Sequence, residues 1–200
     1  MKNPLVLYLS GGNSQIIIRK SGRSPVLGET LDIGIGTFFD SFAREIGMEH
    51  AHGSALEKLA EGGGYVALPY SVKGMNLVFS GLLTQAGKAA KTGSKKDVAH
   101  SLMETAFAMT CEATERALFL TKKKCLVACG GVAQNRRLQN MLRIMCKEDN
   151  VKFGVAPDEF NRDNGAMIAY AGEVLCRERK GKTEMPEGLK PLPNQRIDKI

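Results

Sequence analysis

The hydrophobic pattern changes period several times along the chain, and each change marks an element. Leu5–Leu9 (LVLYL) is an apolar run, Ser10-Gly11-Gly12-Asn13 is a turn signal, and residues 15–19 (QIIIR) are β-branched, which predicts a hairpin around a glycine turn. Residues 26–33 (VLGETLDI) alternate apolar and polar positions around Gly28 and predict a third strand, so a β-meander opens the chain. From Thr37 the period becomes helical: Phe38, Phe39, Phe42, Ala43 and Ile46 share one face, and Gly47 supplies a stop. A short helix is expected over 54–61, closed by Gly62-Gly63-Gly64. Residues 65–92, broken by Pro69, Gly74 and Gly81, read as an irregular insertion.

The longest helical stretch is 95–120, with Leu102, Ala106, Met109, Ala113 and Ala117 as a core-facing stripe and Ser101-x-x-Glu104 as an internal turn or capping box. After it the pattern alternates: a buried strand at 125–129, a Gly130-Gly131 turn, a helix over 134–146, a strand at 152–156 and a helix over 165–175. Strand–helix–strand–helix at this spacing implies parallel strands covered by helices. The fold class is therefore α/β, with one lobe over 1–176. A basic tail follows over 177–200, with three prolines and seven basic against four acidic residues, and little fixed structure is expected there.

Composition narrows the function classes only modestly. At 200 residues with 43% apolar and 24% charged positions, the chain has a globular composition. No apolar run reaches the ~20 residues of a membrane helix and no secretory h-region opens the sequence, so no membrane association is expected. Trp is absent and aromatics are 6%, which disfavours a stacking platform for single-stranded nucleic acid. A net charge of +7 suits a polyanion without demanding one. Five cysteines, an odd number within core elements, do not form a disulfide framework and fit a reducing, cytoplasmic setting. Cys125-x3-Cys129, with no second pair, reads as core.

Three glycine turns stand at strand ends: Ser10–Asn13, Gly130–Ala133 and Asp163–Ala166. Glycine lets backbone N–H groups approach a phosphate or ribose closely, and a following helix adds its positive end. None is a Walker A loop or a GxGxxG fingerprint. Asp163 suits a helix N-cap or a ligand contact. Asp40 interrupts the apolar run Phe38-Phe39-Asp40-Ser41-Phe42 and needs a partner or a ligand, unless it faces solvent. His50-x-His52 is most simply a loop pair, since no further metal-ligating residue follows closely. No Ser-His-Asp set or nucleophile elbow supports hydrolase chemistry.

In order, Tyr8–Gln15, Gly28–Ile33, Asp40–Glu45, Val72–Met75, Phe79–Thr84, Gly130–Ala133 and Arg162–Met167 resemble the universal tRNA threonylcarbamoyladenosine transferase family. This family is TsaD in bacteria and the Kae subunit of KEOPS in archaea and eukaryotes. Val72–Met75, Met103–Met109 and Met167–Tyr170 resemble the archaeal–eukaryotic branch, and the likeness spans about residues 5–176. The resemblance implies an actin-like ATPase fold of the sugar kinase/Hsp70/actin type. It also implies transfer of threonylcarbamoyl from an adenylate to the adenosine 3′ of the anticodon in tRNA. The implied cofactors are a divalent metal, iron or zinc, and ATP or threonylcarbamoyl-adenylate. By resemblance, Tyr8 and Asp163 match metal-ligand positions. Tyr8, Leu9, Ser10, Gly11 and Gly12 match nucleotide contacts through backbone amides, and Asp40, Gly53, Glu57 and Asn135 match ribose or adenine contacts.

Two departures stand out. The family's amino-terminal lobe, with its HxxxH metal pair, has no counterpart in this sequence, and His50-Ala51-His52-Gly53-Ser54 replaces the usual His-Pro-Gly-Gly-Pro. The expected protein is the carboxy-terminal lobe of such a transferase, needing a further lobe. Its partners would be tRNA, a KEOPS-type kinase and small dimerising subunits. The alternative is a non-catalytic paralogue acting as a scaffold or dimer module. A small-molecule kinase of the same superfamily is disfavoured, because Ser10–Asn13 supplies no catalytic Asp.

Overall fold

The computed structural model describes residues 2–161, 164–178 and 196–199. Among the described residues there are seven strands: β1 (Leu5–Leu9), β2 (Ser14–Ile18), β3 (Val26–Glu29), β4 (Val72–Lys73), β5 (Asn76–Leu77), β6 (Cys125–Cys129) and β7 (Lys152–Val155). Five of them form the central sheet, in the order β3-β2-β1-β6-β7, while β4 and β5 pair as a separate ribbon. β1, β2 and β3 make the expected antiparallel meander, and β1–β6 and β6–β7 run parallel.

Six α-helices are found among the described residues: α1 (Ile35–Glu45), α2 (Gly53–Ala60), α3 (Ser80–Thr92), α4 (Lys95–Thr121), α5 (Arg136–Glu148) and α6 (Gly165–Glu178). The 27-residue α4 spans roughly 40 Å at 1.5 Å per residue and serves as the central pillar. Its Val98, Leu102, Ala106, Met109, Ala113 and Ala117 are buried, so the stripe seen in the sequence is the core seam. Phe38 of α1 stacks on Phe79 with ring centroids 5.0 Å apart, and Phe39 meets Phe107 of α4 edge-on at 5.6 Å. Each such buried aromatic stabilises the fold by about 1.5–3 kcal/mol, which ties α1 to both α3 and α4.

The structure corrects several boundaries. The third strand stops at Glu29 instead of reaching Ile33, because Asp32 leaves the sheet to cap α3. Its carboxylate accepts the backbone N–H groups of Phe79 at 3.0 Å and Ser80 at 2.7 Å. The expected irregular segment over 65–92 ends in the regular helix α3, since Gly81 falls in its first turn, where glycine does little harm. Ser94, not Ser101, is the N-cap of α4. Ser101 lies inside the helix, where its hydroxyl donates to the Asp97 carbonyl and accepts the Val66 N–H. The helix expected from Gln134 begins at Arg136, because Gly131–Gln134 makes a 3-10 turn first.

Most of the tail lies outside the described residues. At Ile197–Lys199 it forms a short 3-10 turn, and the preceding Arg196 pairs with Glu29 at 3.0 Å. Among the described residues no helix is long and apolar enough to cross a membrane.

Candidate functional site

The carboxyl ends of β1 and β6 deliver the first two glycine turns to the same edge of the sheet. The turn after β1 is closed by its own groups: Ser10 N–H donates to the Asn13 carbonyl at 2.8 Å, and Asn13 N–H donates to Ser10 Oγ at 3.1 Å. α1 then clamps it, since the backbone N–H and the hydroxyl of Thr37 both donate to the Gly11 carbonyl, at 2.9 and 2.8 Å. A Cβ on Gly36 would lie 2.6 Å from Gly11 Cα, so glycine there is what lets α1 sit against the turn. After β6, Gly130 adopts φ +99°, and a Cβ would lie 2.3 Å from the Leu9 carbonyl oxygen. The second turn is fixed by Asn161, which is buried. Its Oδ1 accepts the Gly130 N–H at 2.9 Å while its Nδ2 donates to the Ala156 carbonyl at 2.7 Å.

Between α1, α2, α4 and the Gly131–Gln134 turn lies a cavity of about 660 Å³ whose lining includes Phe39, Asp40, Gly53, Glu57, Met103 and Asn135. Asp40 Oδ1 accepts the Gly53 N–H at 2.9 Å, an arrangement that satisfies an orphan donor at the start of α2. His52 is the N-cap of the same helix: its Nδ1 accepts the Ala55 N–H at 3.3 Å and lies 2.8 Å from Ser54 Oγ. Thus His50-x-His52 is a capping loop. Burial pushes the Glu57 carboxyl above its usual range, against a side-chain hydrogen bond with Asn135 that pulls it down. Asn135 Oδ1 also accepts the Leu138 N–H at 2.9 Å as the N-cap of α5, so one side chain links α5 to Glu57.

A second depression of about 280 Å³ continues from Gly131 to Tyr8, Ser10, Gly11, Gly130 and Asn161. The two depressions share Gly131. Neither lining contains Lys or Arg, so negative charge there must be met by backbone amides or by groups from elsewhere. The first cavity presents two carboxylates and two side-chain amides, which suits hydroxyl donors such as a ribose diol. The second presents a glycine turn, which suits an anionic group.

The structure thus brings Asp40, Gly53, Glu57 and Asn135 to one cavity, and Tyr8, Ser10 and Gly11 to the adjoining one. Gly12 is exposed on the same turn. Leu9 stands apart: it has no exposed surface and lies in the core beneath the turn, so it supports the site instead of touching a ligand. The Ser10 amide is likewise consumed within the turn, which leaves Gly11 and Gly12 as its open positions. Asp163 lies outside the described residues, and the cap of α6 is made by Asn164, whose Oδ1 accepts the Met167 N–H at 2.8 Å. Tyr8 is 36% exposed at the end of β1. Among the described residues no three His, Cys, Asp or Glu side chains form a group able to hold a metal, so these residues do not by themselves fit an iron or zinc centre.

Asn161 and Met103 carry no local signal in the sequence. Asn161 acts across 31 residues on Gly130, and Met103, beside the core stripe of α4, lines the cavity.

Comparison with known proteins places this geometry. The HypF protein of Thermococcus kodakarensis superposes with a TM-score of 0.60 at 20% identity, over 73% of this chain and 20% of that one. The activator of 2-hydroxyisocaproyl-CoA dehydratase from Clostridium difficile, solved with bound ADPNP, superposes at 0.50 with 13% identity, over 92% and 65%. The fold is therefore of the actin-like ATPase class. A family model described as tRNA N6-adenosine threonylcarbamoyltransferase, TsaD, matches residues 1–170, and the chain belongs to that family. The transferase of that name from Thermococcus sibiricus is 54% identical over 175 residues, covering 86% of this chain and 54% of that protein. The one from Methanothrix thermoacetophila is 46% identical over 200 residues, covering all of this chain and 61% of that protein. The chain spans little more than half the length of these relatives.

Proposed function

We propose that the chain is the nucleotide-holding, carboxy-terminal lobe of a tRNA N6-adenosine threonylcarbamoyltransferase. The observation that carries this reading is the convergence of Asp40 from α1, Gly53 and Glu57 from α2, and Asn135 from the start of α5 on one cavity in a chain of that family. In this role the Asp40 and Glu57 carboxylates accept the ribose hydroxyls of threonylcarbamoyl-adenylate. The Gly11 and Gly12 amides face its phosphate. Held this way, the carbamoyl carbon waits in a fixed position for the adenosine amine of tRNA, and the gain comes from positioning and preorganised amides.

An iron or zinc centre would need donors beyond the described residues. Tyr8 and Asp163 are the positions this chain would offer it, and the further donors, like the closing wall of the cleft, would come from an additional lobe. The apolar exterior of α6 fits such an arrangement, since Ile168 and Tyr170 are almost 70% exposed. A KEOPS-type kinase and small dimerising subunits complete the proposed assembly. The free thiols of all five cysteines fit a reducing cytoplasm.

The test is reconstitution. The chain is mixed with the amino-terminal lobe of an archaeal relative, tRNA and threonylcarbamoyl-adenylate, and tRNA nucleosides are analysed by mass spectrometry. The reading predicts modified adenosine. No product, with a full-length relative active in parallel, would favour the scaffold alternative.

A further inference from the structure

The opposite edge of the sheet carries a feature that the transfer reading leaves unused. Residues 2–4, 18–25, 121–125 and 150–154 are brought together there and contain no acidic residue. The register fixes their proximity: Ile18 faces Leu5, Leu5 faces Leu126, and Cys125 faces Lys152 across successive strands. Lys152 N–H donates to the Lys124 carbonyl at 2.9 Å. Lys20, Arg23, Lys122, Lys124 and Lys152 are exposed there, and Lys123 is half-buried. Among the described residues none of these six is held in an ion pair. A groove of about 500 Å³ runs between the end of β2 and the end of α4, lined by Asn3, Lys20, Thr121 and Lys123.

The backbone is ordered so as to hold like charges together. Lys20 and Arg23 lie directly opposite each other, with N–H···O bonds of 2.9 and 3.0 Å, across a turn whose Ser21 and Gly22 both have positive φ. Like charges in that position destabilise a hairpin. Lys122 adopts φ +54° to end α4, and this sends Lys122, Lys123 and Lys124 to the edge in succession. Such repulsion is relieved by a polyanion. The chemistry favours a nucleic-acid backbone over an acidic protein. The array is mostly lysine, which protein interfaces avoid.

We infer that this edge is a second, non-catalytic contact for the sugar–phosphate backbone of folded RNA, on the side of the sheet away from the cleft. β1 separates the two by about 13 Å at 3.3 Å per residue. One RNA molecule can therefore be held at this edge while another of its segments enters the cleft. The inference borrows from the transfer reading only the identity of the polyanion, and its test reads binding without turnover, so the two fail separately.

The experiment titrates the full chain with a fluorescent, folded tRNA transcript and follows anisotropy from about 50 to 300 mM salt, the range over which phosphate contacts lose most of their affinity. Lys20, Arg23, Lys122 and Lys124 are replaced together by Gln, and a control replaces Lys58, Lys88, Lys91 and Lys96 with the same change in charge. Thermal melting checks both, and a Lys122→Gln/Lys124→Gln pair leaves the hairpin intact. The edge variant is expected to lose at least about tenfold in affinity at about 100 mM salt. Its slope of log K against log[salt] should fall by about 3, near 0.7–0.9 per lost phosphate contact. The control should stay within about threefold of the unsubstituted protein, as expected for a change in long-range field alone. An unchanged slope in the edge variant overturns the inference. So does an equal loss in the control, or edge residues that govern binding of polyglutamate but not of RNA.

Discussion

Asp40 Oδ1 accepts the Gly53 backbone N–H at 2.9 Å, and this bond joins the middle of α1 to the first turn of α2 at the mouth of the larger cavity. It leaves Oδ2 without a hydrogen bond among the described residues, in a residue that lines the cavity. The carboxylate is thereby a structural cap, and under the proposed function it is also a ligand acceptor. Asp40→Ala is expected to cost about 1 kcal/mol of stability, as for loss of a helix cap, measured by urea denaturation. It should also weaken binding of an adenylate analogue at least about tenfold, since hydrogen bonds to a charged group contribute about 1.5–3 kcal/mol. Equal affinity in the variant would remove Asp40 from the site.

Glu57 separates function from stability more cleanly. Burial raises its pKa despite the Asn135 hydrogen bond, so the ionised carboxylate is less favourable in the folded chain than in the unfolded one. A raised carboxyl pKa contributes stability at low pH that is lost as pH rises through the folded value. Glu57→Gln should therefore leave melting near neutral pH unchanged or slightly raised, while adenylate binding by calorimetry falls about tenfold. A lower melting temperature with unchanged binding would assign Glu57 to the scaffold.

Asp32 has the opposite sign. Burial pushes its carboxyl up, but backbone N–H bonds from Phe79, Ser80 and Ile33 outweigh this and hold it below the ordinary 3.8. A depressed carboxyl pKa contributes stability that is present above the unfolded value and lost as pH falls through the folded one. Acid melting should show α3 loosening below about pH 4. Asp32→Ala should remove that pH dependence and cost about 1 kcal/mol near neutral pH. An identical acid transition in the variant would contradict the assignment.

The meander, the parallel strands and the helical stripe of α4 were legible because a single period runs through each. Asp40 was legible for the converse reason: a carboxylate inside Phe38-Phe39-Asp40-Ser41-Phe42 needs a compensating donor, and Gly53 supplies it. What escaped depends on pairs distant in sequence. Nothing local announces that Asn161 fixes Gly130, that Asp32 caps a helix 47 residues on, or that Asn135 reaches Glu57. The α3 helix was hidden by Gly81, which counts as a breaker in a pattern but is harmless at a helix start. The family motifs pointed to Asp40, Gly53, Glu57 and Asn135, which the fold brings to one cavity, whereas Leu9, in the first of those motifs, is buried in the core.

Gly130 tests the second glycine turn. With φ +99°, and with the Leu9 carbonyl oxygen 2.3 Å from where a Cβ would stand, Gly130→Ala faces both backbone strain and a clash with backbone. A destabilisation of at least about 2 kcal/mol is expected, with Gly131→Ala, where no atom lies within 4 Å, as the mild counterpart. Equal urea midpoints for the two variants would refute this account of the turn.

The thiols give a reactivity test. Burial, first of all, pushes Cys111 up to about 12 and Cys146 up to about 11, so neither is a thiolate near neutrality. In native protein at about pH 8, just below the ordinary thiol pKa, both should resist iodoacetamide by mass spectrometry and react only after unfolding. Rapid native labelling of either would show that α4 and α5 do not pack as described.

Whether the cavity between α1, α2 and α4 holds an adenylate is decided by titrating the isotopically labelled chain with a non-reactive threonylcarbamoyl-adenylate analogue, followed by amide NMR. Saturable shifts are expected at Gly11, Gly12, Gly53 and Gly131 and in the Asn135 side-chain amide, with the Lys20–Arg23 turn and Lys122–Lys124 undisturbed. Absence of saturable shifts at those glycines up to millimolar analogue, or shifts confined to the basic edge, would show that the cavity is not the adenylate site.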